Sequence, residues 1–254
     1  MRRYILEENN WKNVSTEDYR VAILPWGATE AHNFHLPYGT DTSLAVHVAA
    51  EAARHAWGQG VRCVVLPAQA YGVNSGQMEV KLCMNMHPST QLIVLDNIIE
   101  VLLKAGLRRL VILNAHGGNQ FQPLIRELSV KYPQMLMACC NWWHAAKAGD
   151  YFQEPGDHAG ELETACMQAI APDLVLPLTE AGTGEERRFK IQGLREKWAW
   201  TPRRWVLITQ DTGVGNPAAA KPENGARFLK DCATRIGNFL CDFAAAEKEE
   251  DLYE

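Results

Sequence analysis

Three short stretches of the chain concentrate residues that bind cations and move protons. The first, PWGATEAHNFHLPYGTD from Pro25 to Asp41, carries Glu30 and His32 two positions apart and closes on Asp41. In an extended chain that spacing points both side chains the same way. Glu, His and Asp together offer the mixed oxygen and nitrogen donors that suit zinc, manganese or iron. Asp41 also stands where a carboxylate can cap a following helix, so ligation and capping are both open to it. The second stretch, NAHGGN from Asn114 to Asn119, presents His116 ahead of two glycines that permit close backbone approach. It lacks the GxxxxGK(S/T) pattern of a phosphate loop; the bland alternative is a turn with a hydrogen-bonded histidine. The third, GDHAGELETA from Gly156 to Ala165, sets His158 before Glu161 and Glu163. Carboxylates in a first helical turn are favoured by the helix dipole, so one of the two can be purely structural.

Elements that would position these residues follow from periodicity. Apolar runs at Val21–Leu24, Val61–Leu66, Leu110–Leu113 and Met135–Cys140 read as strands. Helices are expected from Ser43 to about Ala56, and over Gln91–Ala105, Phe121–Lys131, Glu161–Ile170 and Pro222–Ala245. Strands alternating with helices imply βαβ units, hence a three-layer α/β/α fold with a mainly parallel sheet. Ligands of such sheets bind at the carboxyl ends of the strands, where all three stretches fall. Arg203–Thr209 reads as a further candidate strand. No linker or repeat divides the chain, which predicts one domain over 1–254 with a frayed tail at 246–254.

Composition excludes several classes. With 254 residues, 47% hydrophobic and 22% charged, the chain has material for a sizeable core and is not disordered. Its net charge of −5 lacks the basic stripe of a nucleic-acid binder. Seven cysteines without a CxxC pair fit neither a disulfide framework nor a cysteine zinc site. Reduced thiols, no apolar run of membrane-spanning length and no signal-peptide pattern predict a soluble cytoplasmic protein. His47 and His55 read as surface or packing residues, and His35 as a candidate for orienting a ligand. Trp142 and Trp143 read as packing residues beside the site.

GATEAHNFHLPYGTD, NAHGGN and HAGELET, in this order, resemble the creatininase (creatinine amidohydrolase) family, and YGVNSGQ near Tyr71 and GVGNPAAAKPENG near Gly213 extend the likeness over roughly residues 20 to 240. The resemblance implies a doubly wound α/β fold and a site for two divalent ions, zinc with zinc, manganese or iron. It places Glu30, Asp41 and His116 on one ion, and His32 and Asp41 on the other, with Asp41 bridging. His158 matches a proton-transfer residue and Glu163 an acidic neighbour. Where creatininase has an HYE segment, this chain has His116-Gly117-Gly118, so the second ion lacks its glutamate. Glu161 is the expected substitute ligand and Glu163 its competitor. The family's FPGT is replaced by His87-Pro88-Ser89-Thr90, which predicts a different pocket wall.

The resulting expectation is an amidohydrolase that cleaves a non-peptide C–N bond, in a cyclic amide or a formamide, with a metal-activated water. His158 would protonate the departing nitrogen. The partner is a small-molecule amide, with neither nucleic acid nor membrane, and family resemblance suggests a homo-oligomer, a hexamer. The alternatives are a non-catalytic metal-binding scaffold of the same fold and a hydrolase acting on a modified peptide terminus.

Overall fold

A computed structural model describes residues 1–254. Strands β1 (Val21–Trp26), β2 (Cys63–Val65), β3 (Arg109–Asn114) and β4 (Leu136–Asn141) form one sheet in the order β2-β1-β3-β4, with every pair parallel. All six residues of β1 and of β3 are buried, as strands covered on both faces must be.

Alternation along β1 divides the core. Val21 and Ile23 face helices α1 (Thr40–Gly58), α4 (Glu161–Ile170) and α5 (Pro222–Ala245), through residues such as Leu44, Met167 and Phe228. Ala22, Leu24 and Trp26 face α2 (Pro88–Lys104) and α3 (Phe121–Lys131), through Leu95, Ile99 and Phe121. Period-two side-chain direction in the strand thus produces a helix layer on each side, the three-layer α/β/α fold.

Register brings the chemistry to one edge. Trp26 pairs with Asn114, and Asn114 with Asn141, so β1, β3 and β4 end level. The connections that leave these ends contain the three stretches read above. No helix is long and apolar enough to cross a membrane, and all seven cysteines are free thiols.

Three expectations need correction. Arg203–Thr209 is not a strand: Trp205–Ile208 forms a single helical turn. Its β-prone composition serves to bury only Trp205, while Val206 and Leu207 stay exposed, and the Trp205 N–H donates to Gly76 O at 2.9 Å. The second strand shrinks to Cys63–Val65, because the Val61 N–H closes the end of α1 on Ala56 O. The tail is not uniformly frayed, since Glu249–Leu252 makes a 3-10 turn and Arg109 Nε donates to Ala246 O at 2.6 Å.

Candidate metal centre

Each of three histidines gives one ring nitrogen to a backbone carbonyl. His32 Nδ1 lies 3.1 Å from Glu30 O, His116 Nε2 3.0 Å from Val73 O, and His158 Nε2 2.9 Å from Ala31 O. In a neutral ring the nitrogen facing a carbonyl carries the proton, leaving a lone pair on the other. Those other nitrogens face carboxylates. His116 Nδ1 is 2.8 Å from Glu30 Oε1 and 3.1 Å from Asp41 Oδ2. His32 Nε2 is 3.0 Å from Asp41 Oδ1, 3.9 Å from Glu30 Oε1 and 4.0 Å from Glu163 Oε2. His158 Nδ1 is 3.8 Å from Glu30 Oε1.

Burial makes this convergence costly without a cation. Glu30, His32 and Asp41 are sealed from solvent, and neither Glu30 Oε1 nor Asp41 Oδ2 accepts a hydrogen bond despite its nearness to His116. Acceptors facing acceptors in a dry interior need a proton or a metal ion between them. In the bare chain protons serve. Burial acts to lower the His32 ring, but the carboxylates of Asp41, Glu163 and Glu30 outweigh it and push the pKa up to about 10. His116, likewise buried, is raised well above its ordinary value by Glu30 and Asp41. Asp41 is held below the usual carboxylate range: burial works against ionisation, and His32 and His116 prevail. Burial dominates at Glu163 and raises its carboxyl.

Divalent cations fit this donor set. Glu30, Asp41 and His116 bring one ligand atom each within 4.8 Å of one another, and so do His32, Asp41 and Glu163, with Asp41 common to both. Glu30, His32 and His158 form a third such group, so His158 also has the position of a ligand. Asp41 does not cap α1, whose N-cap Gly39 receives no side-chain bond.

Glu161, the expected substitute ligand, does not join. Its Oε2 accepts the Glu154 N–H at 2.9 Å, which is the structural use of a first-turn carboxylate. Glu163, two residues on, carries the carboxylate that reaches His32, and its Oε2 also accepts the Ala159 N–H at 2.6 Å. Ala159 has φ 53°, an unfavourable backbone for a residue with a side chain, directly after His158. His35 bonds Thr164 Oγ1 at 2.8 Å, beside Glu163, and burial first and His32 second lower its pKa to about 4. His55 bonds Asn238 and His47 is half-buried on α1, away from the cluster.

The glycines of NAHGGN are not equivalent. A Cβ on Gly118 would lie 2.3 Å from Val73 O and 2.4 Å from His116 Nε2, whereas one on Gly117 would meet nothing. Gly118 lets the His116 ring reach its carbonyl. Asn119, buried, accepts the Val73 N–H at 3.0 Å and donates to Asn114 Oδ1, fixing the same turn. Gln77, whose amide donates to Glu30 Oε2, was missed by residue-by-residue reading; its only sequence signal is its place in YGVNSGQ.

A cavity of about 1440 Å³ opens over the cluster. Its lining includes Trp142 and Trp143 and, from the irregular arm after Pro177, Trp200, Arg203 and Trp205. Trp142 is 2% exposed and packs against Phe228, which leaves Trp143 the more accessible of the pair. The Trp205 ring stands 4.7 Å from His158, and the Arg203 guanidinium lies over that indole and pairs with Asp157 at 2.6 Å.

A parallel sheet whose carboxyl edge buries carboxylates and imidazoles under a cavity has the donor set of a metal-dependent hydrolase. Comparison with known families then places it. The chain belongs to the creatininase family: the family model for creatinine amidohydrolase matches residues 7–240. A crystal structure from Bacteroides fragilis NCTC 9343, of a protein provisionally named a creatinine amidohydrolase, is 42% identical over 100% of both chains, with a TM-score of 0.93. The mycofactocin precursor peptide peptidase of Mycobacterium ulcerans (strain Agy99) is 29% identical over 235 residues, 85% of this chain and 84% of that protein. The creatinine amidohydrolase of Pseudomonas putida is 28% identical over 178 residues, 61% of this chain and 66% of the other.

Proposed function

We propose that the chain hydrolyses a non-peptide C–N bond, in a cyclic amide or a formamide, at a centre for two divalent ions held by Glu30, Asp41 and His116 and by His32, Asp41 and Glu163. One observation carries this reading: two buried carboxylates converge on the imidazole nitrogens of His32 and His116 that face away from their backbone carbonyls, so only a proton or a cation can sit between them. Bound cations would supply a water made far more acidic than bulk water and a Lewis acid for the amide carbonyl oxygen. Zinc, with zinc, manganese or iron as its neighbour, suits these nitrogen and oxygen donors.

The chain's own residues handle protons and water. Glu163 lines the cavity, so a carboxylate that holds the second ion would also face a bound substrate. His158 Nε2–H is engaged by Ala31 O, so Nδ1 is the atom free to pass a proton to a departing nitrogen. The Trp205 indole covers the His158 ring and limits its contact with bulk water. With the glutamate of HYE absent, Glu163 takes the second-ion role that would otherwise fall to Glu161.

A second reading has its own support. The cavity exceeds the roughly 300–1,000 Å³ of ordinary small-ligand pockets, and the mycobacterial relative is a peptide peptidase. Both features favour a larger substrate, a modified peptide terminus. Free thiols support a reducing, cytoplasmic setting, and assembly as a homo-oligomer belongs to the same picture. A metal-replete screen of cyclic amides, formamides, lactams and short peptides separates the readings. Turnover lost in His158→Ala supports the amidohydrolase; metal binding with no turnover across the screen favours a scaffold.

A further inference from the structure

We propose that Gln77 is a positioning residue of the metal centre: it holds Glu30 by one oxygen and thereby reserves the other for a cation shared with His116 and Asp41. This rests on the reading of the cluster as a metal centre.

Gln77 follows β2 in the chain, 2% exposed and outside every group of candidate ligand atoms. Its Nε2 donates to Glu30 Oε2. Its Oε1 accepts the Cys83 thiol proton at 3.4 Å, and the Cys83 sulfur in turn accepts the Ala31 N–H at 3.2 Å. A primary amide can present either end to a neighbour. The reverse orientation would set an amide oxygen against a carboxylate, so Glu30 itself turns the NH2 end inward. Cys83, donating to the oxygen end, reinforces that orientation.

The charge of the donor matters too. A neutral amide restrains the Glu30 carboxylate and leaves its full negative charge for a cation, whereas Lys or Arg would compete with the ion. The restrained group keeps Oε1 without any hydrogen bond, 2.8 Å from His116 Nδ1. The two loops are themselves tied together: Met84 N–H donates to Thr29 O at 2.9 Å, and Tyr38 Oη to Lys81 O at 2.7 Å. Gln77 and Glu30 thus face each other from backbones that do not drift apart.

Hydrogen bonds that orient ligating groups are typically worth about 10–100-fold in metal affinity. The test uses the full chain, stripped of metal and titrated with Zn2+ against a chromophoric chelator of known affinity. Gln77→Met is expected to weaken one of two zinc sites by about 10–100-fold and leave the other near its original affinity. Cys83→Ala is expected to weaken the same site less, and Cys83→Ser, which keeps an acceptor and a donor, to restore it. Circular dichroism and the melting temperature of each metal-free variant separate misfolding from a local loss. Wild-type affinity at both sites in Gln77→Met, or equal weakening of both, overturns the assignment. A wild-type chain that takes up no zinc overturns the metal-centre reading beneath it.

Discussion

Asp41 gives one carboxylate oxygen to each of two histidines: Oδ1 lies 3.0 Å from His32 Nε2, and Oδ2 3.1 Å from His116 Nδ1. The two oxygens point into different groups of candidate ligands, so a single side chain joins both halves of the centre. Asp41→Ala is therefore expected to lose both ions together in elemental analysis of metal-loaded protein. Retention of one ion at full occupancy would show that the halves are independent.

Metal uptake should release protons. The His32 pKa of about 10 and the raised His116 keep both rings protonated at pH 7 in the metal-free chain, and an ion can bind only to the unprotonated nitrogen. Affinity consequently tightens as pH rises from 6 toward 9. In the metal-free protein the sign is opposite. The stabilisation from a raised His32 is fully present below an unfolded pKa of about 6.5 and disappears as pH climbs through the folded value. Calorimetry in buffers of different ionisation enthalpy counts the protons, and a heat independent of buffer would refute the scheme.

The two glutamates of GELET should separate cleanly. Glu163→Gln is expected to weaken the ion near His32 and to depress turnover. Glu161→Ala is expected to keep the wild-type metal content while lowering the melting temperature, because the Glu154 N–H loses its acceptor. The reverse pattern, with metal lost from Glu161→Ala alone, would return the ligand role to Glu161.

Adjacent glycines provide an internal control. Gly118→Ala drives a methyl group into Val73 O and the His116 ring, so the ion shared by Glu30, Asp41 and His116 should be weakened most. Gly117→Ala meets open space and should bind metal as the wild type does. Parallel zinc titrations of the two variants decide the matter.

Stability and chemistry should also come apart in the core. Phe228 is fully buried against Trp142 and Phe152, far along the chain from every candidate ligand. Phe228→Ala is expected to cost about 3–5 kcal/mol in denaturant unfolding while leaving metal stoichiometry unchanged.

Much of the fold could be read from periodicity, because buried parallel strands and long amphipathic helices leave strong local patterns. Phe121–Lys131, Glu161–Ile170 and Pro222–Ala245 have the predicted ends. Arg203–Thr209 misled because its β-prone residues answer to a tertiary demand: only Trp205 is packed, against His158 and Gly76. At the site, residue type identified the carboxylates and histidines but not which glutamate turns inward. Glu161 and Glu163 lie in the same helical turn, and the direction each faces depends on where the 154–160 loop returns. Gln77 and Cys83 stayed hidden for a similar reason, since an amide and a thiol gain meaning only when Glu30 lies opposite them.

The unpaired oxygens of Glu30 and Asp41 tie folding to metal supply. An ion that binds the folded chain alone adds RT ln(1 + [M]/Kd), about 2.7 kcal/mol at a hundredfold excess over Kd. The folded fraction near the melting temperature would then follow the logarithm of free cation concentration. Metal-free protein would then melt at a lower temperature and be cleaved faster by protease than the same protein loaded with metal.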